Sequence, residues 1–303
     1  MLPSLATTIE LEDLPFPIIM QPKIDGVRGW NPDGRLLGRS MEEHANKYVT
    51  QRYSAALFAG CDGELHFGNP CANSVCRATT SAINTIGGKP DVHWTLFDLV
   101  TRETFWKPYE QRLIDLQCFV QRLEKELPSM AQGIAVIPSS VVHSLDEVLE
   151  LERHYTDAGY EAVCFRRPDA VFRSGRLPPQ ISGVLRYKRF EDREGIITGL
   201  IEGQINNNIQ VYGADGYAKR STHAENMVPS GTIASLVVRD LQTGKTHTVA
   251  KGKLTAAECA NYFKNPELIL GRTCTYRSFP RGVMNQLRWP TFRNFRAASD
   301  LEK

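Results

Sequence analysis

Lys23-Ile24-Asp25-Gly26-Val27-Arg28 follows closely on the apolar run Pro17-Ile18-Ile19-Met20. A strand is expected over the apolar residues, and it delivers a lysine just ahead of an aspartate and a glycine. A free lysine is a solvated cation with a pKa of about 10.4 and a poor nucleophile at neutral pH. It becomes a nucleophile when neighbouring cations or a bound metal lower that pKa. A flanking carboxylate can orient the amine, and Gly26 allows the backbone close to a ligand. Taken alone, the hexamer reads more readily as an exposed turn.

Four later segments change its weight. They are Asp62-Gly63-Glu64-Leu65, Trp94-Thr95-Leu96-Phe97-Asp98, Glu161-Ala162-Val163-Cys164-Phe165-Arg166 and Leu185-Arg186-Tyr187-Lys188. A final stretch runs Leu287-Arg288-Trp289-Pro290-Thr291-Phe292-Arg293-Asn294-Phe295-Arg296. In this order and at these separations they resemble the nucleotidyltransferase motifs of a covalent superfamily: ATP-dependent DNA ligases, RNA ligases and mRNA capping enzymes. The Arg-x-Pro-x-Phe pattern resembles the last motif of small phage-type ATP-dependent DNA ligases. The resemblance covers nearly the whole chain.

What the resemblance implies is a three-step reaction. A lysine takes AMP from ATP, AMP passes to the 5′-phosphate at a nick in duplex DNA, and the 3′-hydroxyl displaces AMP. Lys23 matches the nucleophile. No Ser-His-Asp spacing competes with it, and Ser139-Ser140 and Thr79-Thr80-Ser81 read as caps or loop residues. Phosphoryl transfer between polyanions calls for a divalent cation. Mg2+, with Mn2+ as an alternative, takes one or two carboxylates plus phosphate oxygens. By family match Glu161 is the metal-side carboxylate, and Glu64 holds the ribose or a second metal. Asp62 and Asp98 read as turn and strand-end residues.

Phe97 matches the aromatic that stacks on adenine, although a core aromatic would look the same. Stacking cannot choose between purines. Gln21 lies where the family often places a polar side chain near the exocyclic amine, and glutamine can bond either purine. Arg28 and Arg39 resemble the arginines that contact ribose and nick phosphates, and Arg186 and Lys188 the paired cations near the α-phosphate. The chain has Arg-x-Lys where the family usually shows Lys-x-Lys; arginine keeps the charge but takes no proton role. It also has Ala162 where glycine usually follows the motif glutamate, which either narrows the nucleotide wall or reflects ordinary β backbone. Arg288 and Arg296 match pyrophosphate or triphosphate contacts, or else a basic tail on DNA. Arg167, Arg173 and Arg176 lie in a stretch that borders the DNA track in the family.

Bulk properties bound these expectations. The 303 residues allow two domains, and the composition, 42% hydrophobic and 23% charged, is ordinary for a globular chain. A net charge of +2 requires any DNA surface to be a local cluster of Arg and Lys. No apolar run approaches a membrane span, so a cytoplasmic protein is expected. The scattered cysteines favour neither a disulfide framework nor zinc.

The fold class expected is α+β. A nucleotidyltransferase domain with antiparallel sheets and flanking helices occupies 1–190, and a small β-barrel of OB type occupies 191–303. Strands are expected near Ile18–Gln21, Arg35–Arg39, Gly63–Phe67, Val92–Val100 and Tyr160–Phe165, and helices over Glu42–Phe58, Tyr109–Leu127 and from Ser144. After Lys188, Gly- and Asn-rich turns separate strand-like segments with one helix at Thr255–Phe263. Such a module suits a five-stranded barrel, and the ligase resemblance selects the OB type. The leading expectation is an ATP-dependent DNA ligase of bacteriophage type, monomeric, with nicked duplex as partner and no clamp-binding segment. An RNA ligase, a GTP-dependent capping enzyme and a non-catalytic DNA- or nucleotide-binding module are the alternatives.

Overall fold

The computed structural model describes residues 2–279 and 287–296. The chain divides into two compact units, Met1–Lys188 and Arg189–Lys303.

The first unit is built on two sheets. One has five strands in the spatial order Thr7–Thr8, Val184–Tyr187, Ala162–Arg166, Ile18–Lys23, Ser140–Val142. Its pairs are antiparallel except at the Thr7–Thr8 edge, which runs parallel to its neighbour. Side chains alternate across a sheet with period two. Met20, Val163, Phe165 and Leu185 therefore fall on one face, where they form a core with Val148 and Tyr155 of the helix Leu145–Ala158. Burying each such apolar side chain contributes about 1.5–3 kcal/mol. The same alternation commits Gln21, Lys23, Cys164 and Arg186 to the other face. The strand register is thus what assembles the polar residues.

The other sheet has four strands in the order Val27–Trp30, Cys61–Phe67, Val92–Leu99, Ile134–Val136, with a parallel last pair. Trp94, Tyr53 and Phe58 pack on one another beneath it, and the helix Tyr109–Glu126 adds Leu116, Val120 and Leu123. Gly26 is required here by the protein rather than by a ligand. A Cβ on it would stand 2.2 Å from the Leu65 carbonyl oxygen.

Three local expectations are corrected. The helix over Glu42–Phe58 is only Lys47–Tyr53 followed by a 3-10 turn at Ala56–Phe58. Asn46 accepts from the Val49 amide and fixes the start at Lys47. Thr79-Thr80-Ser81 lies inside a helix, Val75–Asn84, rather than in a loop. Hydroxyl and β-branched residues have modest helix propensity, and the buried Thr79 compensates by donating to Val75 and accepting from the Phe67 amide. Arg35–Arg39 makes only isolated bridges, Leu37 pairing with Trp30 and with Glu43.

In the second unit, strands Glu191–Asn206, Met227–Asp240, Thr246–Ala250, Arg288–Phe295 and Thr273–Phe279 bond in that order, the last returning to the first. Thr246–Ala250 meets Arg288–Phe295 through one bridge, Ala250 with Thr291. Ile197, Leu236, Val238, Val249, Tyr276 and Phe292 fill the interior. Helix Ala256–Lys264 adds Cys259 to them and opens with a reciprocal cap between Thr255 and Glu258. Among the described residues, no helix is long and apolar enough to cross a membrane.

Candidate functional site

Gln21, Lys23, Arg28, Arg39, Glu64, Phe97 and Arg186 line one cavity of about 360 Å³ in the first unit. That volume is in the range of small-ligand sites. Ile137, Cys164, Arg166 and Arg176 line it too. Residues scattered along the sequence meet here because the strand pairings demand it. Gln21 lies opposite Cys164 and Lys23 opposite Ala162, while Arg186 flanks Cys164 on its other side. Ala162 is buried in regular pairing, so the departure from glycine is ordinary β backbone.

On the other sheet Arg28 lies directly across from Glu64. A bulge adjoins them: Asp62 pairs with Asp98 and Gly63 with Leu96, which leaves Phe97 as the extra residue. A bulge re-aims its side chain and frees backbone groups. Phe97 lines the cavity, with the guanidinium groups of Arg28 and Arg166 at 4.8 and 5.1 Å from its ring centre.

Lys23 and Lys188 share one carboxylate. Lys23 Nζ donates to Glu161 Oε2 at 2.5 Å, and Lys188 Nζ donates to Glu161 Oε1. Burial would raise the Glu161 pKa, but the two ammonium groups outweigh it and hold the carboxyl at about 2. For Lys23, burial favours the neutral amine, yet Glu161 and then Glu64 pull the other way and lift its pKa above the usual lysine value. Beside these carboxylates Lys23 is therefore an ammonium ion. Glu64 behaves oppositely to Glu161. Burial dominates there, only partly opposed by Lys23 and Arg28, and pushes its carboxyl up to about 7.

Asp62 lies in a strand rather than a turn and Asp98 does stand near a strand end, and both are buried ion-pair partners. Arg28 Nε and Nη2 grip the two oxygens of Asp62, each at 2.5 Å, and Nη2 also reaches the Ser4 carbonyl. Asp98 receives Arg112 at 2.8 and 3.0 Å, with Arg166 Nη1 at 3.6 Å. Arg28 is thus largely committed to holding the two sheet strands in register. Arg39 and Arg176 are exposed at the cavity, and Arg186 Nε donates to Thr8 Oγ1.

The other arginines singled out lie elsewhere. Arg167 donates to the Pro179 carbonyl, and Arg173 is exposed; neither lines the cavity. Arg288 and Arg296 belong to the second unit, Arg288 paired with Phe279 and Arg296 lying 2.6 Å from Glu194. Tyr109, Ser139, Cys164 and Arg166 were not singled out from the sequence. Cys164 and Arg166 carried a signal as members of a recognised segment, whereas Ser139 reads from the sequence as a cap or loop residue and Tyr109 only as the start of a helix. Among the described residues, no cluster of three or more His, Cys, Asp or Glu is assembled for a metal.

No family model and no curated protein matches the chain. Solved structures do. The Chlorella virus DNA ligase-adenylate aligns with a TM-score of 0.55 and 24% identity, over 98% of this chain and 99% of that one. A Lig E DNA ligase aligns with a TM-score of 0.68 and 18% identity, over 98% and 99%. The ATP-dependent DNA ligase of bacteriophage T7, in complex with ATP, gives 0.51 and 16%, over 97% and 98%. The fold is that of ATP-dependent DNA ligases. Within this ligase fold, Lys23, Glu161 and Lys188 converge in one cluster, and the cavity beside them has an aromatic wall and a cationic rim. A fold alone does not fix an activity, so the chemistry rests on these residues.

Proposed function

We propose that the protein seals nicks in duplex DNA by ATP-dependent ligation, with Lys23 as the residue that carries AMP. The observation that carries this reading is Lys23 in a ligand-sized cavity, bonded to Glu161 and flanked by Glu64, Lys188 and Arg186. In the first step the neutral Lys23 amine attacks the α-phosphorus of ATP. An N–P bond forms, the P–O bond to pyrophosphate breaks, and the amine proton leaves. The phosphate oxygen at the nick then takes AMP from the lysine, and the 3′-hydroxyl finally displaces AMP as the phosphodiester forms.

Glu161 holds Lys23 protonated, so charge at Glu161 must be offset before the amine can react. Glu161 and Glu64 suit a hard cation completed by phosphate oxygens. They would hold Mg2+ there, whose charge helps release the amine from its carboxylate. Phe97 provides the stacking face for the base, Arg39 and Arg186 the ribose and phosphate contacts, and Lys188 a fixed charge at the α-phosphate. Arg176, with Arg167 and Arg173, extends the cationic surface toward the DNA backbone, where contacts position rather than specify. We read the second unit as an OB barrel whose Arg288 and Arg296 serve as phosphate contacts. A monomer suffices for all of this.

The test is transfer of α-labelled ATP to the purified protein with Mg2+, followed by a chase with nicked duplex. Label that leaves the protein as the nick closes supports ligation. Label that persists on the protein beside an unsealed nick contradicts it. An RNA ligase or a capping enzyme would show itself by sealing only RNA or by taking label from GTP alone.

A further inference from the structure

We infer that Tyr109 and Ser139 are positioning residues that fix the purine preference of the site by locking the Gln21 side-chain amide in one orientation. The inference rests on the nucleotide-transfer reading above and adds to it the groups that choose the base.

Gln21 is buried, and its amide can be turned either way unless its neighbours forbid one orientation. Here they do. Tyr109 Oη lies 2.7 Å from the carbonyl oxygen of Phe97, which can only accept, so the tyrosine's single proton points there. Ser139 Oγ likewise donates to the Ile137 carbonyl at 3.1 Å. Both hydroxyls have then spent their protons and can only accept from Gln21. The Gln21 atom that faces them, at 2.7 Å from Tyr109 and 2.9 Å from Ser139, must therefore be the donor Nε2. Both its N–H bonds are used. What Gln21 has left for a ligand is Oε1, which can only accept.

A lone acceptor at the edge of the cavity favours a purine with an amino group at position 6. A 6-oxo purine would set two acceptors against each other, and leaving buried polar groups unmatched is what gives such sites their discrimination. Tyr109 also acts on a second base-contacting residue. The Phe97 carbonyl it holds belongs to the bulge that turns the Phe97 ring toward the cavity. One buried hydroxyl thus couples the residue that would stack on the base to the residue that would read its edge.

The experiment compares label transfer from α-labelled ATP and α-labelled GTP to the unaltered protein, Tyr109→Phe, Ser139→Ala, the double variant of these two and Ser139→Thr, each first stripped of bound AMP with pyrophosphate. The expected result is a strong preference for ATP in the unaltered protein. That preference should fall severalfold in Tyr109→Phe and in Ser139→Ala, each of which leaves one acceptor on the amide, and by about 10-fold or more in the double variant, where the freed amide can present either atom. Ser139→Thr, which keeps the hydroxyl, should retain it. If both nucleotides lose rate in parallel and the ratio stays fixed, the two hydroxyls serve only packing and the inference is overturned. If Tyr109→Phe fails to fold, Ser139→Ala and Ser139→Thr decide the matter between them. Absence of label from either nucleotide on the unaltered protein would instead overturn the transferase reading, and this inference with it.

Discussion

The first unit contains two cation–carboxylate–cation clusters that look alike on paper and differ in what they can do. At the cavity, Glu161 stands between Lys23 and Lys188; beneath it, Asp98 stands between Arg112 and Arg166. Both carboxylates are well shielded, with side-chain exposures of 9% for Glu161 and 1% for Asp98. The difference lies in the cations. A guanidinium keeps its proton under all ordinary conditions and spreads its donors in a planar fork. The cations of the Asp98 cluster therefore cannot give up a proton, and its bidentate geometry pins the helix Tyr109–Glu126 to strands of both sheets. An ammonium is a point charge that can lose its proton, and Lys23 is open enough, at 23% side-chain exposure, to meet a ligand. One cluster can react; the other can only hold.

That contrast is sharpest under substitution. Lys23→Arg keeps the charge on Glu161 but removes the amine that could attack phosphorus. It should lower nucleotide transfer by about 10⁴-fold or more, the scale seen when a nucleophile is removed, while the unfolding midpoint barely moves. Urea unfolding alongside label transfer checks both halves.

Asp98→Ala should do the reverse. Two buried guanidinium groups would be left without their carboxylate, a loss of about 3–5 kcal/mol in stability. Equilibrium urea unfolding reads it directly, and a loss under ~1 kcal/mol would mean that the pairs are dispensable.

Acid separates Glu161 from its neighbours. Its carboxyl is depressed from 4.5 to about 2 by the two lysines, after the opposing effect of burial. A group whose folded pKa is depressed stabilises the fold above its unfolded pKa and loses that contribution as pH falls through the folded one. Stability on the order of 1–3 kcal/mol should thus drain between about pH 4.5 and pH 2. In Glu161→Gln that contribution should be missing, so the profile falls less steeply over this window.

Glu64 should give the smallest effect and the opposite sign. Its carboxyl is raised from 4.5 to about 7, chiefly by burial. Between those values the folded protein binds more protons than the unfolded chain, so Glu64 costs stability as pH rises. Glu64→Gln should therefore be more stable than the unaltered protein at pH 8, by on the order of 1–2 kcal/mol. At pH 4 the gain should vanish, which thermal melts at the two pH values would reveal.

The reactive cluster was more legible in the sequence than the supporting one, for a physical reason. Lys23, Glu161, Arg186 and Lys188 sit in short segments with fixed internal spacing, and period-two alternation already places Gln21 with Lys23, and Arg186 with Lys188. Asp98 and Arg112 carry no such pattern. A lone aspartate at a strand end looks solvated until the helix that brings its arginine is packed against it. Arg28 misleads for the same reason: it stands in the lysine segment, but its guanidinium is taken by Asp62 across a strand pairing that sequence does not display. The bulge at Phe97 depends on the register of a partner strand, and Ser139 acquires meaning only beside Gln21. Helix limits failed where a side chain decided them, as Asn46 does at Lys47.

The most direct test of the contrast between the clusters is to find where AMP goes. Intact protein incubated with ATP and Mg2+ would be digested and mapped by mass spectrometry. One AMP on the peptide bearing Lys23, absent from Lys23→Arg, is the expected result. AMP on Lys188 or on any other side chain, or a modified Lys23→Arg protein, would contradict the assignment of the reactive amine.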